Sequence, residues 1–103
     1  MDKFSLKFVW SEKYLGVSLD QKIGVSRLCI PLTEYFFWPR TDAWDQLHSY
    51  LQNKNFITQK EIVIILNMLT DVIHFWQDES EFKKKSISLA KEKFPLCSFV
   101  AHD

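Results

Sequence analysis

The sequence predicts an α+β fold: a small antiparallel sheet, made of an N-terminal hairpin and an edge strand, packed against two helices with a weaker C-terminal helix. Three observations carry this expectation. Phe4, Leu6, Phe8 and Trp10 alternate with Ser5, Lys7 and Val9, the period-two pattern of a half-buried strand. Thr58 and Glu61 stand at capping-box spacing and open a long apolar run. Between these two regions, residues 35–44 read Tyr-Phe-Phe-Trp-Pro-Arg-Thr-Asp-Ala-Trp, in which five of ten side chains are aromatic. Each such ring can bury roughly 150 to 250 Å². The segment is therefore expected to act as the hinge of the fold and to supply a large part of its core.

Taken in order, the first alternation is followed by polar Ser11, Glu12 and Lys13 and then by a second, with Leu15, Val17 and Leu19 on one face and Gly16, Ser18 and Asp20 on the other. Together they read as an antiparallel hairpin. Gly16 opposite Phe8 or Trp10 would leave room for a ring. Residues 21–27 are polar, contain Gly24, and read as a loop. Residues 28–30 and 33–37 predict a third strand interrupted at Pro31, which belongs on an edge because proline cannot donate to a ladder. Pro39 pushes Trp38 into an extended conformation and should stop that strand.

Thr41 or Asp42 can then cap a first helix over about 42–52, with Trp44, Leu47 and Leu51 as its inward stripe. The second helix should follow Thr58 and run over 59–77. Its stripe is Ile62, Ile65, Leu66, Leu69, Ile73 and Trp76, but Val63, Ile64, Met68, Val72 and Phe75 are apolar as well. A helix apolar on nearly every side must be covered on nearly every side, by the sheet, the first helix and either a partner protein or the C-terminal segment. A weaker third helix over 81–93 carries Phe82, Ile87, Leu89 and Ala90 and is stopped by Pro95, after which 96–100 can return to the body in extended form.

Length bounds the rest. A chain of 103 residues suits one domain, 1–103, able to bury roughly 65% of its unfolded surface. Thirteen basic and thirteen acidic residues cancel, so the protein is no polycation. The distribution is uneven: residues 1–40, 41–80 and 81–103 carry +2, −4 and +2. Phosphate contacts should come from the two ends of the chain, and the middle should face solvent or a protein. Lysine outnumbers arginine eleven to two, which makes such contacts point charges rather than forks and is equally the signature of an AT-rich genome.

Cys29 and Cys97 form no C-x-x-C pair and read as buried reduced thiols. His48, His74 and His102 are at no metal spacing. No G-x-S-x-G turn or glycine-rich phosphate loop is present. The reading is therefore of a protein without catalytic residues, metal, cofactor or small-molecule substrate. No apolar run approaches the roughly 18 residues of a membrane span. The N-terminus enters strand-like sequence without a leader or transit pattern, so the chain is expected to stay where it is made or to have lost its leader. Tyr35, Phe36, Phe37 and Trp38 can stack bases, as in single-strand RNA readers, but alternation gives each face only half of them, and core packing is the simpler expectation. Lys83, Lys84 and Lys85 form the only basic run, an ordinary solvated face or a phosphate contact.

Three blocks point further. They are Lys7-Phe8-Val9-Trp10 with Glu12 to Gln21; Pro31-Leu32-Thr33 with Tyr35-Phe36-Phe37-Trp38-Pro39-Arg40 and Asp42-Ala43-Trp44; and Leu66-Asn67 with Thr70, Ile73, Trp76 and Gln77. In these the chain resembles the plastid-specific ribosomal protein 3 family, small-subunit proteins of chloroplast ribosomes with cyanobacterial relatives. The resemblance covers about 4–77, leaving 78–103 as a C-terminal extension and matching 22–28 poorly. It implies a non-catalytic component of the 30S subunit in the chloroplast stroma, touching ribosomal RNA and neighbouring small-subunit proteins. It also fits a protein encoded in the plastid genome.

On that reading Lys13, Arg40 and the run Lys83, Lys84, Lys85 are the candidate RNA contacts. Phe8, Trp10, Trp38, Pro39, Trp44, Leu66 and Trp76 are the candidate structural core. The competing reading is a free-standing interaction module that docks a partner through the apolar helix 59–77.

Overall fold

Backbone pairing in the computed structural model, which describes residues 3–24, 28–78 and 87–101, begins with the expected hairpin. Strand β1 (Phe4–Trp10) lies antiparallel to β2 (Leu15–Ile23), with Phe8 opposite Val17 and Trp10 opposite Leu15. That register puts Val9, not an aromatic, opposite Gly16. The missing side chain makes room instead for Phe37: a Cβ at Gly16 would come within 2.9 Å of Cε1 of that ring and 3.2 Å of Cβ of Val9.

Part of the expected loop at 21–27 is strand. Gln21, Lys22 and Ile23 extend β2 because Ile30, Cys29 and Leu28 pair with them, and the chain turns at Gly24, whose φ of +60° favours glycine. The interrupted edge strand is present as two pieces, β3 (Leu28–Pro31) and β4 (Phe36–Trp38), both antiparallel to the edge of β2 that β1 leaves free. Across the break Leu32 donates its N–H to the carbonyl of Leu19, and Leu19 donates its own to the hydroxyl of Thr33 at 3.0 Å. The ladder thus stays satisfied where the chain bulges out.

Helices α1 (Ala43–Gln52) and α2 (Gln59–Gln77) follow as expected, and Asp42 provides the first cap by accepting from the N–H of Asp45 at 3.0 Å. At α2 both halves of the capping box form: Glu61 N–H donates to Thr58 Oγ1 at 3.1 Å and Thr58 N–H to Glu61 Oε1 at 2.9 Å. The Thr58 backbone N–H is the main cause that holds the Glu61 carboxyl below its ordinary 4.5. A lowered folded value means that this contribution is present above the ordinary carboxylate range and is lost as pH falls through the lowered value. Thr58→Ala is expected to cost about 1 kcal/mol. In a chain of this size that reads as a fall in melting temperature of about 4 to 8 °C, measured calorimetrically.

The third helix, α3 (Ile87–Lys93), occupies the C-terminal part of the predicted 81–93; the rest of that helix, with Phe82, lies outside the described residues. Strand β5 (Ser98–Ala101) then pairs with β1 in parallel, Phe99 beside Phe8. The fold is α+β as predicted, and the extended segment expected at 96–100 makes the sheet a mixed one, ordered β3-β2-β1-β5.

All three helices share one face of the sheet. Phe4, Leu6, Phe8, Trp10, Leu15, Val17 and Leu19 meet Leu47 and Leu51 of α1 and Ile65, Leu69 and Val72 of α2 in one buried cluster. The C-terminal segment takes up the apolar surplus of α2: the Phe75 ring packs edge-on against Phe94 at 5.7 Å. The Trp76 indole closes the cluster by donating to the carbonyl of Ser11 at 2.9 Å. Only Val63 and Ile64 among the apolar residues of α2 remain exposed, so the helix offers little apolar face for a docked partner.

The aromatic hinge departs from expectation. Of the candidate core residues Phe8, Trp10, Leu66 and Trp76 are buried, whereas Trp38 and Trp44 are half-buried and Pro39 is exposed. Tyr35, Phe36 and Phe37 are half-buried too. β4 is three residues long at the rim of the sheet, so its rings are covered from one side. The fully buried centre is Phe8 with aliphatic side chains such as Leu6, Leu19, Leu47 and Leu69, and Phe99, Trp10, Phe75 and Phe94 make a buried ring cluster beside it.

Candidate nucleic-acid interface

Alternation along the strands gives the sheet a second face, away from the helices. Ser5, Lys7 and Val9 of the first strand fall on it, opposite Asp20, Ser18 and Gly16 of the second, and Lys22 continues that row. Ser5, Gly16, Ser18 and Asp20 are buried, and Lys3, just ahead of β1, stands at the end of the sheet, where its charge also acts on Glu61. Phe37 joins them through its pairing with Gly16, and Ser98 and Val100 through β5.

Its chemistry is divided along its length. At one end are three lysines. Lys3 is exposed and Lys7 and Lys22 are half-buried. Lys7 Nζ is 3.4 Å from Oδ2 of Asp20, whose other oxygen has no hydrogen-bond partner. Asp20 is only 3% exposed and Lys7 shields it; a buried carboxylate held by one cation leaves the face positive on balance.

At the other end are three rings. Tyr14 meets Phe37 edge-on with centroids 5.4 Å apart, and Tyr35 stacks on Phe37 at 6.3 Å and 30°. Gly16 is what lets Phe37 lie flat on the sheet between them. All three rings are half-buried, so part of their surface faces outward. Leu15 pairs with Trp38, which brings the β1–β2 turn and the end of β4 together. Exposed Lys13 and Arg40, each two residues from that pair, therefore lie in turns at the same end of the sheet. Glu12 and Glu34 sit nearby, and with Asp20 they leave five cations against three carboxylates on and around this face.

Of the sequence-predicted contacts, the structure brings Lys13 and Arg40 to one end of the sheet; Lys83, Lys84 and Lys85 lie outside the described residues. Lys3, Lys7, Lys22 and Tyr14 are additions that the sequence pattern does not single out. The alternation that marks Lys7 as facing away from the core is the available signal, but it cannot tell that the face stays uncovered.

The other side of the molecule is acidic. Asp42, Asp45, Asp71 and Asp78 lie on or beside α1 and α2. Among the described residues no group of His, Cys, Asp or Glu could hold a metal ion, and no helix is long and apolar enough to cross a membrane. The thiols differ from the expected buried pair: Cys29 is exposed on the edge strand β3, and Cys97 is partly buried, where desolvation pushes its thiol up to about 11. At neutral pH Cys97 is therefore a protonated, unreactive group.

The family described as plastid and cyanobacterial ribosomal protein (PSRP-3 / Ycf65) matches this chain over residues 32–79. That span includes β4, α1, α2 and the Tyr35 and Phe37 rings. The small ribosomal subunit protein cS23 of Euglena stellata is 48% identical over 103 residues, the whole of both chains. The protein of that name in Mesostigma viride is 50% identical over 100 residues, which are 97% of this chain and 78% of that one. The one in Hordeum vulgare is 51% identical over 73 residues, 70% of this chain and 39% of the longer relative.

Proposed function

The chain belongs to the plastid and cyanobacterial ribosomal protein family, PSRP-3 / Ycf65, and from that premise we propose that the uncovered sheet face is the surface it presents to ribosomal RNA. The protein is a structural constituent of the small ribosomal subunit of plastids and not an enzyme; its partners are ribosomal RNA and other ribosomal proteins.

One observation carries the assignment of the face. Lys7, Lys22 and the ring cluster of Tyr14, Tyr35 and Phe37 share one side, with Lys3, Lys13 and Arg40 next to the ends of the strands that carry them, while Asp42, Asp45, Asp71 and Asp78 lie on or beside α1 and α2. Lysines on a flat surface neutralise phosphates without reading sequence. Outward-facing rings add stacking for an unpaired base. Both act by position alone, as suits a protein that holds a folded RNA in place.

Binding of the purified chain to small-subunit ribosomal RNA tests this. Tyr35→Ala and Tyr14→Ala should each weaken affinity by roughly 5- to 100-fold, the worth of one stacked base. Because both rings are half-buried, melting should shift by only a few degrees, roughly. Unchanged affinity in both variants would remove the rings from the interface.

A further inference from the structure

We propose that a cleft on the helical side, between the end of β4 and the last turns of α2, is a docking site for an extended basic segment of a neighbouring protein, with a guanidinium seated against Trp38 and Trp44. The cleft measures about 340 Å³. Trp38, Asp42 and Trp44 form one wall and Thr70, His74 and Gln77 the other. Steps of four and three along α2 bring the last three onto one face of that helix. Except for His74, all of these belong to the sequence blocks singled out above, yet they come from three separate elements and converge only in the fold.

The walls are set firmly. The Trp44 indole donates to Thr70 Oγ1 at 2.9 Å, and Thr70 donates onward to the carbonyl of Leu66 at 2.8 Å. Asp42 is held as the cap of α1 through Asp45 N–H. Trp38 is different. Its indole N–H is buried with no acceptor, a deficit that a carbonyl of an incoming chain relieves once the rim gives slightly.

Charge selects the occupant. His74 also lines an adjoining hollow that contains Asp71, Asp78 and Phe75. There the protein's own Lys93 lies over the Phe75 ring at 5.5 Å. Among the described residues, the two linings thus hold Asp42, Asp71 and Asp78 with Lys93, at the end of a helix whose dipole is negative. Phosphate is repelled here and cations are drawn in, and indole is the best aromatic partner for one. A basic peptide fits these walls and RNA does not. The inference rests on the ribosomal reading only for the source of the segment, so its test uses the isolated chain.

The four tryptophans give four indole N–H signals in a ¹⁵N-labelled sample of the full chain. Titration with a short synthetic peptide of alternating arginine and serine should shift the Trp38 and Trp44 signals saturably and leave those of buried Trp10 and Trp76 in place. Gln77→Lys, at an exposed position, should weaken the peptide about tenfold, and Asp42→Asn, which keeps the cap, about threefold. The proposal falls if neither signal moves, if a peptide with glutamate in place of arginine moves them equally, or if an RNA oligonucleotide moves them instead. Failure of the sheet face would appear separately, as absent RNA binding with the peptide response intact.

Discussion

Phe8→Ala is expected to lower the stability of the protein by about 3 to 5 kcal/mol, a large share of the roughly 5 to 15 kcal/mol that holds a domain together. Phe8 is fully buried in β1, which is flanked on both sides, by Val17 of β2 and Phe99 of β5. Its ring stacks on Phe99 with centroids 5.3 Å apart and planes 16° from parallel. Truncation therefore opens a cavity at the centre and also removes the ring that seats the C-terminal strand. Of the neighbours, β2 is held by ladders on both sides and β5 by its ladder to β1, so the gap can close only in part.

Phe36→Ala is the control. That ring belongs to the same face but to the short rim strand, and it is half-buried. It should cost only about 1 to 2 kcal/mol, in line with its smaller loss of buried surface. Urea unfolding distinguishes the two by a lower midpoint at unchanged slope. Equal costs would move the centre of the core toward the aromatic hinge, where the sequence pattern alone puts it.

Replacing Lys3, Lys13 and Arg40 together by alanine is expected to flatten the salt dependence of ribosomal RNA binding by roughly two to three units of slope, about 0.7 to 0.9 for each phosphate no longer neutralised. Across a fourfold rise in salt that amounts to a difference of roughly 16- to 60-fold in how far affinity falls. All three side chains are exposed, so the fold should be unaffected. Lys54→Ala with Lys60→Ala, on the helical side, is the matched control and should leave the slope as it is. Changing Lys83, Lys84 and Lys85 to alanine is a separate arm, in which each phosphate met by the run would remove up to about one unit. If the first variant keeps the parent slope, the sheet face is not where phosphate is met.

The two expectations draw on different sides of one sheet, and that division is half legible in the sequence. Alternation in residues 4–10 and 15–19 tells which side chains enter the helix-covered core, Phe4, Leu6, Phe8, Trp10, Leu15, Val17 and Leu19, although Ser5, Gly16 and Ser18 on the other face are buried as well. The same rule splits the aromatic run, sending Phe36 and Trp38 toward the helices and Tyr35 and Phe37 outward. Core packing, the simpler expectation for the run, holds for Phe36 and Trp38, which pack against the buried cluster, but only to half-burial, because β4 pairs with β2 alone among the described strands. The same reason applies to Cys29, an apolar-looking residue on an edge.

The sequence by itself determined the local events: the hairpin, the strand broken at Pro31 and ended before Pro39, a helix cap at Thr41 or Asp42, which the structure settles as Asp42, and the paired cap of Thr58 with Glu61. Each depends on groups a few residues apart, whose preferred dihedrals and hydrogen bonds are written in neighbouring letters. Only the tertiary structure decided that β5 pairs in parallel with β1, joining Lys7 to Ser98, and that Trp38, Trp44 and Gln77 share a cleft. Contacts across such separations leave no periodic trace, because what settles them is the competition of whole surfaces for cover. That competition left one face of the sheet open, with its lysines and rings together.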